Sequence, residues 1–384
     1  MARNRTRREF VKDALGKAAL IPLASYADFS FAEDTKQASA SLNILILGGT
    51  SFLGPHQIAY ALTRGHKITT FTRGKTKPSV HQDVFKEVTS LLGDREDNLE
   101  ALKGKTWDVV IDNSGNRAHW VKKTADLLKD QADLYLFTSS TGVYYPYLGK
   151  DIKEDTPLLM KEPEKVEHED EKLEYWFGVM KANAEQHSRN AFGADRSIIV
   201  RPTYMVGPAD KLDRFIYWPV RLGRGGEIMV PGKAHDPVQF VDVRDVAQWM
   251  IRLVEQKAAG VYNAVGPASP MGMHAFMYGA HAAFNTPVSW QMIDDYEFLK
   301  KHKVPYIVPW IMPEGKNQGS ALVNNQFAIQ HGLRFTPLAQ TVRDTYTWWY
   351  SDALTEERRQ KFEAKKDSIL LREAEIIKAW KAKK

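Results

Sequence analysis

Residues 42–54 read LNILILGGTSFLG, and no other stretch narrows the fold so far. A short apolar strand runs into two glycines, and a helical pattern, HQIAYALTRGH (56–66), follows at once. A strand that turns directly into a helix leaves the first N–H groups of that helix free to face whatever lies above the turn. That arrangement suits a pyrophosphate. Gly48 and Gly49 allow close backbone approach, Gly54 lets the helix pack near the strand, and Thr50, Ser51, Phe52 and Leu53 complete the loop. Ser51 stands where the middle glycine of such loops usually lies; its hydroxyl can donate to a phosphate, but it narrows the approach.

The following segments extend the pattern. KITTFTRG (67–74) reads as a second strand whose end carries Thr72 and Arg73 instead of an acid. An acid there would hold ribose hydroxyls, whereas an arginine suits a 2′-phosphate, so the reading leans to NADP over NAD. In LLGDRED (91–97), Asp94 is placed to accept from an adenine amino group, with Arg95 beside it. DVVIDNSGN (108–116) reads as a strand entering a polar turn, where Asn113, Ser114 and Gly115 would border the cofactor ribose. Alternating strands and helices of this kind imply an α/β fold: a doubly wound parallel Rossmann sheet with a smaller C-terminal substrate lobe.

ADLYLFTSSTGVYYP (132–146) is a further apolar strand ending in hydroxyls. With GGTSFLG, SSTGVY, RPTYMVGP (201–208), PVQFVDVRDVAQWM (237–250) and GVYNAVGP (260–267) in this order, the chain resembles the NAD(P)-binding epimerase/dehydratase branch of the short-chain dehydrogenase/reductase superfamily. The resemblance runs from about residue 42 to 350. It implies that Ser140 orients a reacting substrate oxygen, that Lys181 fixes the nicotinamide ribose, and that Pro202 borders the cofactor. It also implies dimerisation through helices that include the lysine-bearing one, so a homodimer is expected.

Besides the serine at 51, the resemblance departs at the position that carries the chemistry. The family carries a proton-transferring tyrosine four residues before the lysine, where the ammonium below it draws the phenol pKa down from about 10. Here that position is Phe177, in FGVMK (177–181). Tyr175 stands six residues before Lys181, about 240° around a helix, and reaches the site only if the helix begins irregularly. Three readings stay open. Another group handles the proton, with Tyr175, Tyr144, Tyr145 or His119 as candidates; or the protein binds dinucleotide without turnover; or Lys181 and Ser140 support weaker chemistry by electrostatics alone.

Substrate contacts are expected from the aromatic, arginine-rich segment 210–240, chiefly Arg214, Trp218, His235 and Gln239, and from Arg244 just beyond it. No histidine spacing or glycine-acid loop suits a metal, so none is expected. The absence of cysteine excludes disulfides and thiolate catalysis. The formal charge of +6 is partly local, and no basic stripe with interleaved aromatics appears, so nucleic acid is not an expected partner. No apolar run is long enough to span a membrane.

The paired arginines in TRREFVK (6–12), followed by ALGKAALIPLA, resemble a twin-arginine export signal. They imply a bacterial periplasmic location, the export machinery as a partner, and a tightly held cofactor. The organisation expected is a signal over 1–32 and a dinucleotide-binding core over 42–205, to which 237–265 returns. A substrate lobe over 206–236 and 266–350 and a charged helical tail over 351–384 complete it. The function expected is NAD(P)-dependent oxidation or epimerisation at a carbohydrate or polyol hydroxyl. The alternatives are a simple sugar dehydrogenase and a noncatalytic dinucleotide-binding protein.

Overall fold

The computed structural model describes residues 38–383. The proposed export signal lies outside them.

Seven parallel strands form the central sheet: β1 (Asn43–Leu47), β2 (Lys67–Thr72), β3 (Thr89–Leu92), β4 (Trp107–Asp112), β5 (Ala132–Thr138), β6 (Ser197–Pro202) and β8 (Gly260–Ala264). Gly226–Pro231 is β7, outside this sheet. The spatial order is β8-β6-β5-β4-β1-β2-β3. Strands such as NILIL and SIIVRP are buried along nearly their whole length because both faces are covered by helices, and their interiors are accordingly apolar. On one face lie α1 (Leu53–Thr63) and α5 (Val243–Glu255), packed against each other; on the other lie α2 (Ala118–Leu128) and α3 (Glu169–Phe192). Two further helices, α4 (Tyr217–Arg224) and α6 (Met273–His281), belong to the lobe.

The chain leaves β1 in one direction to build β2 and β3, then returns to the other side of β1 to build β4. A crevice opens where strand order reverses, outside the carboxyl ends of β1 and β4. Leu47 pairs with Asp112 in register there, so the glycine turn and the Asn113–Ser114 turn emerge side by side.

The smaller lobe is built on β7, paired in parallel with β9 (Val288–Ile293), and on α4, α6 and α7 (Leu338–Trp349). Trp218, Phe276, Trp310 and Trp349 fill its core. The tail forms two helices, α8 (Glu356–Glu363) and α9 (Ile369–Lys383). α9 docks on the lobe through Leu370, Ile376, Ile377 and Trp380, while Leu371 faces outward. The buried Glu373 carboxylate anchors it, accepting from the Met229 N–H at 2.7 Å and from Arg221.

Candidate active site

The glycine turn takes the form that the sequence requires. Gly48 and Gly49 both have φ of 100°, a left-handed region where a side chain would be strained. A Cβ on Gly54 would sit 2.3 Å from the Gly49 Cα, so only glycine lets α1 approach the turn. No side chain caps the start of α1; the Gly54 N–H turns back to the Ser51 carbonyl at 3.2 Å, and Pro55 carries no N–H.

The crevice is a cleft of about 430 Å³. Gly48, Gly49, Thr50, Ser51, Phe52 and Leu53 line one wall, with Thr72 and Arg73 at the end of β2 and Asp94 and Arg95 beyond β3. Asn113, Ser114, Ser140, Lys181, Pro202 and Arg214 line the remainder. Gly54 and Gly115 lie behind the wall. Gly115 is needed for packing, since a Cβ there would come within 2.4 Å of Phe137.

Hydrogen bonds set the shape of the floor. Asn113 is held from both ends of its amide, donating to Gln57 at 2.6 Å and accepting from the Thr138 hydroxyl at 2.8 Å. Arg95 is a support rather than a free ligand-binding fork. Its two terminal nitrogens donate to both Asp112 oxygens, and also to Ser114 and Thr124. Tyr135 donates to the same Asp112 at 2.7 Å, closing a buried network under the cleft.

Lys181 enters from α3 and is buried. Its ammonium donates to the Thr138 carbonyl at 3.0 Å and stands 5.0 Å from the centre of the Phe137 ring. Burial pushes its pKa down to about 8, against the opposing pull of Asp112 and Glu185. Ser140 accepts from the Gly142 N–H at 3.0 Å, which leaves its own hydrogen for another acceptor. Phe177 lines the same cleft and carries no polar atom.

The candidate replacements for the missing phenol do not line the cleft. α3 is regular from Glu169, so Tyr175 falls on a different side of the helix from Lys181 and packs edge-on against Tyr145. Tyr144 is saturated: its hydroxyl donates to Asn263 at 2.7 Å and accepts from Arg201 at 2.7 Å. Burial pushes its pKa up to about 12. His119 is exposed and bonds to Glu96 at 3.0 Å, while its neighbour Trp120 is the residue that faces the cleft.

The proposed substrate residues divide in the same way. Arg214 reaches the cleft and lies 5.4 Å over the Tyr204 ring. Trp218 is fully buried in the lobe core, so it has no face to offer a sugar. Gln239 clamps the backbone of Val323 through both ends of its amide, at 2.8 and 3.1 Å. Arg244 is held by Asp242 and Asp344. His235 is exposed on a loop away from the cleft.

Residues that the sequence did not single out also line the cleft, among them Lys75, Thr76, Asn116, Lys211 and Leu212. Lys75 stood in plain view two positions after Arg73, in the same loop.

The donor set fits a pyridine dinucleotide. Glycines give the close approach, the start of α1 borders the cleft at Leu53, and a buried ammonium with spare hydrogens lies in the same cleft. Residues 44–265 match the NAD dependent epimerase/dehydratase family. The chain belongs to this family.

Within and around the family, several proteins are similar. A chloroplast stem-loop binding protein of 41 kDa, form b, from Arabidopsis thaliana is 28% identical over 247 residues, covering 60% of each chain. The match therefore spans less than two thirds of the plant protein's length. The epimerase family protein SDR39U1 from Bos taurus is 21% identical, covering 64% of this chain and 82% of the relative. Among solved structures, the Bordetella bronchiseptica enzyme WbmH, in complex with NAD+, superposes with a TM-score of 0.58 at 17% identity, over 82% of this chain and all of WbmH. UDP-glucose 4-epimerase from Bifidobacterium longum, in complex with NAD+ and UDP, gives 0.57 at 16% identity, over 81% and 98%. At these identities the structures share the epimerase/dehydratase fold.

Among the described residues, no helix is long and apolar enough to cross a membrane, and no group of three or more metal-ligating side chains occurs.

Proposed function

We propose that this protein is an NAD(P)-dependent oxidoreductase or epimerase acting on a carbohydrate or polyol hydroxyl, with a proton route that does not use a tyrosine. The observation that carries this reading is the joint presence of Lys181 and Ser140 in the glycine-walled cleft, with Phe177 between them and the missing phenol's role. Gly48, Gly49 and the start of α1 hold the pyrophosphate, and Lys181 donates to the nicotinamide ribose. The nicotinamide supplies two-electron redox chemistry at a carbinol carbon. The Ser140 hydroxyl donates to the reacting oxygen and orients it.

Tyr144 is saturated, and Tyr175 and His119 lie elsewhere, so Lys181 is the group lining this part of the cleft that can exchange a proton near neutral pH. An amine with a pKa of about 8 has an appreciable neutral fraction at pH 7 to 8, which an ordinary lysine lacks. Its proton is taken up or released at Nζ, with the Thr138 carbonyl holding the amine in place.

A second reading rests on Phe177 itself: a protein that binds dinucleotide without turning it over. The two are separated by purifying the protein, measuring dinucleotide affinity by calorimetry, and following reduced nicotinamide absorbance with a panel of nucleotide sugars. Substrate-dependent reduction or epimerised product supports the enzyme. Bound nucleotide unchanged across the whole panel supports the second reading, and no affinity for either dinucleotide overturns both.

The paired Arg7 and Arg8 support a further element, export by the twin-arginine route to a bacterial periplasm with the cofactor already bound. Such a compartment favours a reaction that restores its own cofactor, as epimerisation does.

A further inference from the structure

The cleft is bordered by a loop that is fastened from the far end of the chain. Lys211, Leu212 and Arg214 line the cleft, and Leu212 is 62% exposed. Their loop is wound tightly around Asp210, whose carboxylate accepts from the N–H groups of Leu212 at 3.0 Å and Arg214 at 3.2 Å. Two residues that are not glycine, Ala209 at φ 76° and Asp213 at φ 53°, adopt left-handed backbone here. Such conformations are unfavourable for side-chain-bearing residues and persist where surrounding contacts impose them.

One such contact comes from α8 in the tail. Arg358 donates to the Asp213 carboxylate at 2.7 Å and to the Asp210 carbonyl at 3.1 Å through the same nitrogen. Its guanidinium lies over the rings of Trp348 and Trp349, at 5.6 and 5.8 Å from their centres. The pair is partly buried, with 30% of the Arg358 side chain and 20% of the Asp213 side chain exposed. The arginine therefore stacks on α7 and aims its hydrogen bonds at one left-handed residue, Asp213, and at Asp210, the neighbour of the other.

We propose that Arg358 is a positioning residue: the tail latches the 209–214 loop in the conformation that presents Lys211 and Arg214 to an anionic ligand in the cleft. Arg73 and Lys75 supply positive charge on the β2 side of the cleft, and Lys211 and Arg214 supply it from the loop. A ligand carrying several phosphates meets both sets, so loop closure and ligand retention are linked. The choice of ligand rests on the dinucleotide reading above; the latch itself does not.

The test uses the full chain with Asp213→Asn and Arg358→Gln, singly and together. Asparagine tolerates the left-handed backbone, so D213N removes the charge while leaving the loop geometry and the tryptophan packing in place. Hydrogen exchange of the Leu212 and Arg214 amides is measured without ligand, and the release rates of NAD+ and NADP+ are measured separately. Each single variant is expected to speed exchange at these amides about 10-fold and dinucleotide release about 3- to 10-fold, and the double variant to add little. Unchanged exchange in both single variants overturns the latch. Faster exchange with unchanged release overturns the link between latch and ligand. Absence of dinucleotide binding in the parent protein overturns the functional reading, while the exchange data still decide the latch.

Discussion

The Phe177 ring rests on Gly142, so closely that a Cβ at residue 142 would come within 2.8 Å of its Cδ1. The ring is thus pinned at the wall of the cleft, one helical turn before Lys181.

Giving this ring a hydroxyl tests what its absence means. Phe177→Tyr adds one atom at the ring end that borders the cleft, and is expected to fold with stability within about 1 kcal/mol of the parent. With Lys181 beneath it, the new phenol should raise turnover of a carbohydrate hydroxyl by about 10²-fold, the scale of a positioned acid or base. Steady-state rates on the nucleotide-sugar panel decide the matter. A variant that binds dinucleotide as the parent does and gains no turnover would show that the missing proton donor is not what limits this site.

Arg73 is exposed at the end of β2, on the cleft wall, with Lys75 two residues on. On the proposed preference for NADP, these cations meet the 2′-phosphate. Arg73→Glu is then expected to weaken NADP+ binding by at least about 10-fold, a charge-reversal effect of roughly 1.4 kcal/mol or more. NAD+ binding should change little or improve. Calorimetric titration of both nucleotides reads this directly, and an equal loss for the two would remove Arg73 from nucleotide choice.

Much of this site is legible in one dimension because its parts are short and local. Glycines at 48, 49 and 54 are dictated by backbone geometry, and the strand ends at Thr72, Asn113 and Ser140 fall where strand meets turn. What stays hidden is which way a side chain points once the lobe has folded. Trp218 and Arg214 are four residues apart in an aromatic, basic segment, yet one is in the lobe core and the other borders the cleft. Tyr144 closes the strand-end motif SSTGVY, but its partners Asn263 and Arg201 come from β8 and β6, and no local pattern announces that its hydroxyl is already taken. Likewise, nothing in residues 209–214 signals a partner at Arg358, 145 positions from Asp213.

Lys181 makes a prediction about stability as well as chemistry. Its pKa is drawn from 10.5 to about 8 by burial, so between these values the unfolded chain carries a proton here that the folded chain has released. Unfolding then takes up a proton, and stability from this group rises with pH across that window. Below about pH 8 the folded state holds the charged amine at its full desolvation cost. Lys181→Met removes that cost but leaves the Thr138 carbonyl without its donor, a loss of about 1 kcal/mol. The variant should therefore be more stable than the parent by about 1–2 kcal/mol at pH 7, with the advantage shrinking and reversing towards pH 10.5 as the parent's amine becomes neutral in both states. Urea denaturation of the two proteins at intervals from pH 7 to 10.5 measures the difference, with the parent's other titrating groups cancelling between them. A gap that stays constant with pH would mean that Lys181 keeps its ordinary affinity for the proton, and the amine would then lack the neutral fraction on which its proposed proton transfer depends.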